Sequence, residues 1–136
     1  MEIVIDTSAF VAIYRAENGF ALCEQAIAQA SRIYVPASCR LEAALLRGPD
    51  ADFFEWFGVF TSLPVYQSAE LTGRVIEIAV ASARSYGKGS GHPAQLNFGD
   101  CLVYAVAKER GLPLLFVGSD FSHTDLTPVI SGGATG

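Results

Sequence analysis

Basic residues, cysteines and long apolar runs are all scarce in this chain, and each shortage removes a class of protein. Lysine and arginine number nine against fourteen aspartates and glutamates, for a formal net charge of −5. A protein that coats nucleic acid generally calls for a basic domain, so that role is disfavoured. An enzyme that meets RNA through local cations and a bound metal is not. Cysteine occurs three times, at Cys23, Cys39 and Cys101. An odd number, widely spaced in apolar helical contexts, speaks against a disulfide framework or a zinc knuckle and reads as buried thiols in a cytoplasmic protein. Mean hydropathy is +0.34, yet no apolar stretch approaches the roughly 18 residues that span a bilayer, so no membrane role is expected. The opening Met1-Glu2-Ile3-Val4-Ile5-Asp6 has no basic segment and meets an acid at once, unlike a signal peptide. Internal repeats, low-complexity blocks and linkers are also missing. The 136 residues predict one domain over 1–130, with 131–136 expected to be a disordered tail.

Apolar residues, by contrast, are abundant, at 51% against 17% charged. Such a balance suggests that some apolar surface is covered by a partner or a second subunit. The most informative stretch is Leu96–Asp125, LNFGDCLVYAVAKERGLPLLFVGSDFSHTD. Asn97 is a good N-cap, and Asp100 falls in the first helical turn, where negative charge suits the free amides. The helix runs through LVYAVAKER and stops at Gly111, with Lys108 and Arg110 in its last turn. Pro113 opens the apolar run Leu114–Val117, a strand covered on both faces, which Gly118 ends. Asp120 then lies outside the carboxyl end of that strand, where open parallel sheets place their sites.

Ile3–Ile5 predicts a buried first strand with Asp6 at its carboxyl end, and Thr7 or Ser8 as cap of the next helix. Asp6 alone reads equally as a turn or cap residue. Phe20–Ala30 has helical spacing, and Arg32–Val35 is a second strand ended by Pro36. Ser38 is the expected cap of a helix over Cys39–Leu46. Glu42 lies one turn into it among Leu41, Ala43, Ala44, Leu45 and Leu46, where a carboxylate needs a partner. Gly48-Pro49-Asp50 is a turn. The aromatic group Phe53, Phe54, Trp56, Phe57 and Phe60 reads as core or subunit contact in preference to a base-stacking platform. Pro64–Tyr66 is a short strand. Ser68 is then expected to cap a long helix from Ala69 to Tyr86, with an apolar stripe of Leu71, Val75, Ile76, Ile78, Ala79 and Ala83. Tyr86–Pro93, YGKGSGHP, reads as a flexible connector, or alternatively as a mobile basic loop with Lys88 on a phosphate; it lacks the ending of a P-loop. Thr127–Ile130 is an expected edge strand.

Asp6, Glu42, Asp100 and Asp120 thus come from separate elements, each at a strand end or in a helix's first turns. Converging carboxylates repel unless a cation holds them or some take up protons. Oxygen ligands suit Mg²⁺, with Mn²⁺ as substitute. His92 and His123 are single loop residues, and no zinc spacing competes. A cation of this kind activates water and stabilises charge on a scissile phosphate, so metal-dependent phosphodiester hydrolysis is the expected chemistry.

The blocks IDTSAF, LEAALL, NFGDCLVYAVAKERGLPLLF and GSDFSHTD together resemble the PIN-domain family, and more narrowly its VapC-type ribonuclease toxins of bacterial toxin–antitoxin pairs. The resemblance runs to about Ile130 and rests mostly on the third block. It implies a three-layer α/β/α PIN-like fold around a mostly parallel sheet of roughly four to five strands. By position, Asp6 and Asp100 match the acids that hold Mg²⁺ most directly. Glu42 and Asp120 match those that complete the cluster, often through water, and Ser8 or Thr7 matches the small polar position beside the metal. Ser119 departs from a pattern that often carries Asn there, which leaves Asp120 and Asp125 both open as the fourth acid; Asp120 is favoured as nearer the strand end. The resemblance further implies RNA cleavage, a homodimer, and a VapB-like antitoxin that lies across apolar helices to give a heterotetramer or larger. The YGKG loop looks like members of this group and adds weight to Lys88 as an RNA contact. Two other readings stand beside this one. An Asp-based phosphotransfer protein is permitted by Asp6, but Ser8 stands where such phosphatases carry a second Asp. A non-catalytic PIN-like interaction module would keep only the fold.

Overall fold

The computed structural model describes residues 1–47 and 50–130. Most of the expected Gly48-Pro49-Asp50 turn and all of the expected 131–136 tail therefore lie outside the described residues. β1 (Glu2–Ile5) leads through α1 (Thr7–Arg15) and α2 (Phe20–Gln29) to β2 (Arg32–Pro36). Next come α3 (Ala37–Leu45), α4 (Phe53–Phe60) and β3 (Tyr66–Ala69), then α5 (Gly73–Tyr86), α6 (Phe98–Arg110) and β4 (Leu114–Leu115). The four strands form one parallel sheet in the order β3-β2-β1-β4. Ile3, Val4 and Ile5 are all 0% exposed. Because successive strand residues point to opposite faces, that is possible only with helices on both sides. The fold is the three-layer α/β arrangement expected.

The order also sets where a site can form. From β1 the chain steps outward to β2 and β3, then crosses back through α5 and α6 to β4 on the other flank of β1. The strand order reverses between β1 and β4, and in open parallel sheets sites form outside the carboxyl ends of the strands at such a point; Asp6 is the residue that follows β1.

Several boundaries differ from expectation, each for a tertiary reason. β3 covers Tyr66–Ala69, not Pro64–Tyr66, because it pairs with β2 in the register Ile33↔Tyr66 to Pro36↔Ala69. Those ladder bonds outweigh the local helical preference of the segment. Ser68 is therefore a strand residue, and Thr72 caps α5 by accepting from the Val75 amide at 3.2 Å. α3 starts at Ala37 behind Pro36; Ser38 is not its cap but a buried residue whose hydroxyl has no partner among the described residues. β4 stops at Leu115 instead of Val117. The Asp6 amide donates to the Leu115 carbonyl at 2.9 Å, and the next donor, Val117 N–H, goes to Ser8 Oγ at 3.0 Å. A side chain closes the ladder. The expected edge strand at Thr127–Ile130 is reduced to one bridge, Leu114↔Pro128.

The aromatic group of α4 is core. Phe53 and Phe57 are buried, Phe10 of α1 sits edge-on to Phe57 at 5.0 Å, and Trp56 stacks on Phe60 at 4.7 Å. In α5 the expected stripe divides. Val75 and Ala79 face the core, while Ile76 is 40% exposed, as is its neighbour outside the expected stripe, Val80, at 50%. The three cysteines are buried and free. Among the described residues no helix is long and apolar enough to cross a membrane.

Candidate metal centre

Asp6 caps α1, and its Oδ2 accepts from the Ser8 amide at 3.0 Å. Thr7 and Ser8, read from the sequence as possible caps, do other work. Thr7 Oγ1 donates to Glu42 Oε1 at 2.9 Å across from α1 to α3, and Ser8 Oγ takes the Val117 amide. Asp100 is fixed by a reciprocal pair at the start of α6. Its amide donates to Asn97 Oδ1 at 2.8 Å, while the Asn97 amide donates to Asp100 Oδ2 at 3.1 Å. Two of the four free amides at a helix start are satisfied this way, and the carboxylate is locked against the positive end of the helix.

Electrostatics tie the four acids together. Burial pushes the Asp100 carboxyl up to about 7, against the Asn97 amide that favours its charge, and Asp6, Asp120 and Glu42 all raise it further. Asp6, 8% exposed, is raised mainly by burial, with the Ser8 bonds opposing and Asp120 adding to the rise. Glu42 is raised by burial first, opposed by the Thr7 hydroxyl, and then by Asp6. Asp100 therefore feels each of the other three. Cys39 lies among the same groups, and burial, followed by the charge of Asp6, raises its thiol so that it stays protonated and unreactive.

Asp125 is placed elsewhere. It accepts from Tyr104 Oη and Lys108 Nζ, both at 2.6 Å, and Lys108 followed by Tyr104 holds it below the usual carboxylate range. Lys88 is exposed and its amide donates to the Leu96 carbonyl at 3.0 Å. With Asn97 and Phe98 it lines a largely apolar groove of about 440 Å³ between α5 and the start of α6. The segment expected as a connector has its two ends joined to each other. Gly87 bridges to Leu96, His92 Nδ1 accepts the Ala94 amide at 3.1 Å, and Tyr86 meets the His92 ring at 4.8 Å. His123 lies in the exposed corner after β4.

The donor set is oxygen-only and carries several mutually repelling carboxylates. Among the described salt bridges, the cations pair with Glu17, Asp50 and Asp125, not with these four acids. Among the described residues, no group of three or more acidic, histidine or cysteine side chains is arranged closely enough to hold a metal by itself. Mg²⁺ asks for less, since it binds through one or two carboxylates and keeps several waters. The residues fit a hydrated hard cation and not a zinc-like cage.

Comparison with known proteins agrees with this architecture. The PIN-domain family profile matches residues 3–126. The chain is 36% identical over 127 residues to "Ribonuclease VapC42" of Mycobacterium tuberculosis, covering 92% of this chain and 97% of that protein. Its structure superposes on M. tuberculosis VapC20, described as a sarcin-ricin loop cleaving toxin, with a TM-score of 0.75 at 17% identity, covering 92% of this chain and 96% of that one. A crystal structure of VapBC2 from Rickettsia felis bound to a DNA fragment from its promoter matches with a TM-score of 0.66 at 12% identity, covering 94% and 97%.

Proposed function

The chain belongs to the PIN-domain family, among its VapC-type members, and on that premise we propose that it is a ribonuclease toxin that hydrolyses RNA with Mg²⁺ or Mn²⁺. The observation that carries the proposal is the corner itself, where Asp6 and Asp100 are buried and Asp100 feels Asp6, Asp120 and Glu42 together. Buried carboxylates of like charge are costly to ionise, and a divalent cation removes that cost.

In this reading Asp6 and Asp100 hold the cation, and Glu42 and Asp120 reach it directly or through water. When bound, the ion lowers the pKa of a water molecule and stabilises charge on the scissile phosphate. The chain's own groups do the positioning. The Asn97 amide fixes the Asp100 carboxylate, Thr7 fixes one oxygen of Glu42, and Ser8 ties the start of α1 to the segment that leads to Asp120. Lys88 offers a cation to an RNA phosphate from the rim. The exposed apolar side chains Leu41 and Leu45 of α3, 64% and 62% exposed, support a partner surface. We assign that partner as a VapB-like antitoxin, with a homodimer of this chain as the core of the complex and the cytoplasm as its compartment.

Purified protein incubated with structured RNA tests the reading. Cleavage is expected with added Mg²⁺ or Mn²⁺, and none with a chelator. Asp6→Asn should reduce it by at least about 100-fold while the far-UV circular dichroism is retained. Cleavage that survives both the chelator and this substitution would refute the assignment.

A further inference from the structure

Gly99 occupies the second position of α6, directly before Asp100, and faces Glu42 of α3. A Cβ built there would stand 2.6 Å from Glu42 Oε2 and 3.3 Å from its carboxyl carbon. The other carboxylate oxygen accepts from Thr7 at 2.9 Å. Glu42 is thus held between a hydroxyl on one side and a missing methyl group on the other.

The backbone does not ask for glycine here. Positive φ angles among the described glycines occur at Gly19, Gly89, Gly91, Gly111 and Gly118, and Gly99 is helical, where alanine is the better residue. Other glycines show what different needs look like. At Gly87 a Cβ would run into the Ala83 carbonyl, which is rigid helix backbone, so that glycine serves the end of α5. At Gly58 and Gly73 a Cβ would meet nothing within 4 Å. At Gly99 the obstacle is the movable end of a carboxylate belonging to the acid corner. A methyl group there would leave the helix intact and displace Glu42.

We propose that Gly99 is a positioning residue, whose lack of a side chain sets where the Glu42 carboxylate stands relative to Asp6 and Asp100. The proposal rests on the metal-dependent reading above and deepens it. The signal was open to view in the NFGD block, but the reason for it lies on another helix.

Four proteins test it: the parent, Gly99→Ala, Glu42→Asp and the double variant. Each is compared by thermal unfolding without metal, by calorimetric titration with Mn²⁺ alone, and by RNA cleavage. Gly99→Ala is expected to melt within about 2 °C of the parent or above it. Its Mn²⁺ affinity and its cleavage rate are expected to fall together by about 10- to 100-fold. Glu42→Asp retracts the carboxylate by one methylene. In the parent it should weaken Mn²⁺ binding, whereas added to Gly99→Ala it should strengthen binding relative to that single variant. That reversal of sign is something a merely structural glycine would not produce. Parent-like Mn²⁺ affinity in Gly99→Ala, a double variant no better than Gly99→Ala, or a loss of more than about 5 °C in melting temperature would each overturn the proposal. A parent that binds Mn²⁺ but cuts no RNA would defeat the ribonuclease reading, and the calorimetric arm would still judge Gly99.

Discussion

Two groups of carboxylates in this protein have opposite fates. Asp50 and Asp125 stand near the surface, each beside a cation, Arg15 for the first and Lys108 for the second. Both are held below the usual carboxylate range by those partners. Asp6, Glu42 and Asp100 sit at the carboxyl end of the sheet, and all three are raised, by burial first and then by neighbouring acids, Asp120 for Asp6, Asp6 for Glu42, and Asp6, Asp120 and Glu42 for Asp100. The chemistry of the side chains is the same. The difference is whether the fold supplies a positive charge, and at the sheet end it supplies acids where a cation is wanted. Surface pairing of the first kind contributes little to stability or function. Unpaired burial of the second kind is a cost that a protein keeps for a reason, and it marks a candidate site.

The sharpest way to break this contrast is Asp100→Asn, which removes the group that feels all the others. RNA cleavage should fall by at least about 100-fold. Thermal unfolding of the metal-free protein at pH 8 should at the same time rise or stay level, since a buried charge is gone.

The same residue gives the parent a distinctive pH dependence. Asp100 titrates in the folded protein at about 7, above its ordinary 3.8. As pH rises from about 4 to 7 the unfolded chain gives up that proton before the folded one does, so folding stability falls across this window. The metal-free protein should therefore melt on the order of 5 °C higher at pH 5 than at pH 8. Added Mg²⁺ should narrow that gap, and Asp100→Asn should reduce it, leaving only the share of Asp6 and Glu42. A metal-free melting temperature that climbs from pH 5 to pH 8 would contradict the raised carboxyl.

Smaller effects sharpen the comparison further. Asp120→Asn is expected to slow cleavage by about 10- to 100-fold, and Asp125→Asn to leave it within about twofold. Reversed ranks would show that Asp125, despite its pairing with Lys108, is the acid the site uses. Thr7→Val removes the donor to Glu42 Oε1 and should cost about tenfold in cleavage, with about 1 kcal/mol of stability. Equal activity with the parent would mean that Glu42 needs no second support.

Amino-acid order alone determined the elements whose signals are local. The α6 segment is complete in itself, with Asn97 and Asp100 closing its start, cations in its last turn and Gly111 in the left-handed region at its end. The β-branched run before Asp6 and the apolar run after Pro113 likewise carry their own evidence. The four acids could be nominated because each sits beside such a signal.

What only the tertiary structure decided is who stands next to whom. Ser68 looks like a cap and is a strand residue, since β2 offers Ile33–Pro36 as a ladder. Ser8 and Thr7 look like caps as well, yet one terminates β4 and the other holds Glu42. Gly99 looks like an ordinary helical glycine until α3 is laid against it. Propensity and capping act over a few residues and can be read along the chain. Hydrogen-bond partners, burial and charge coupling act through space, and they exist only once the sheet order has brought β1 between β2 and β4.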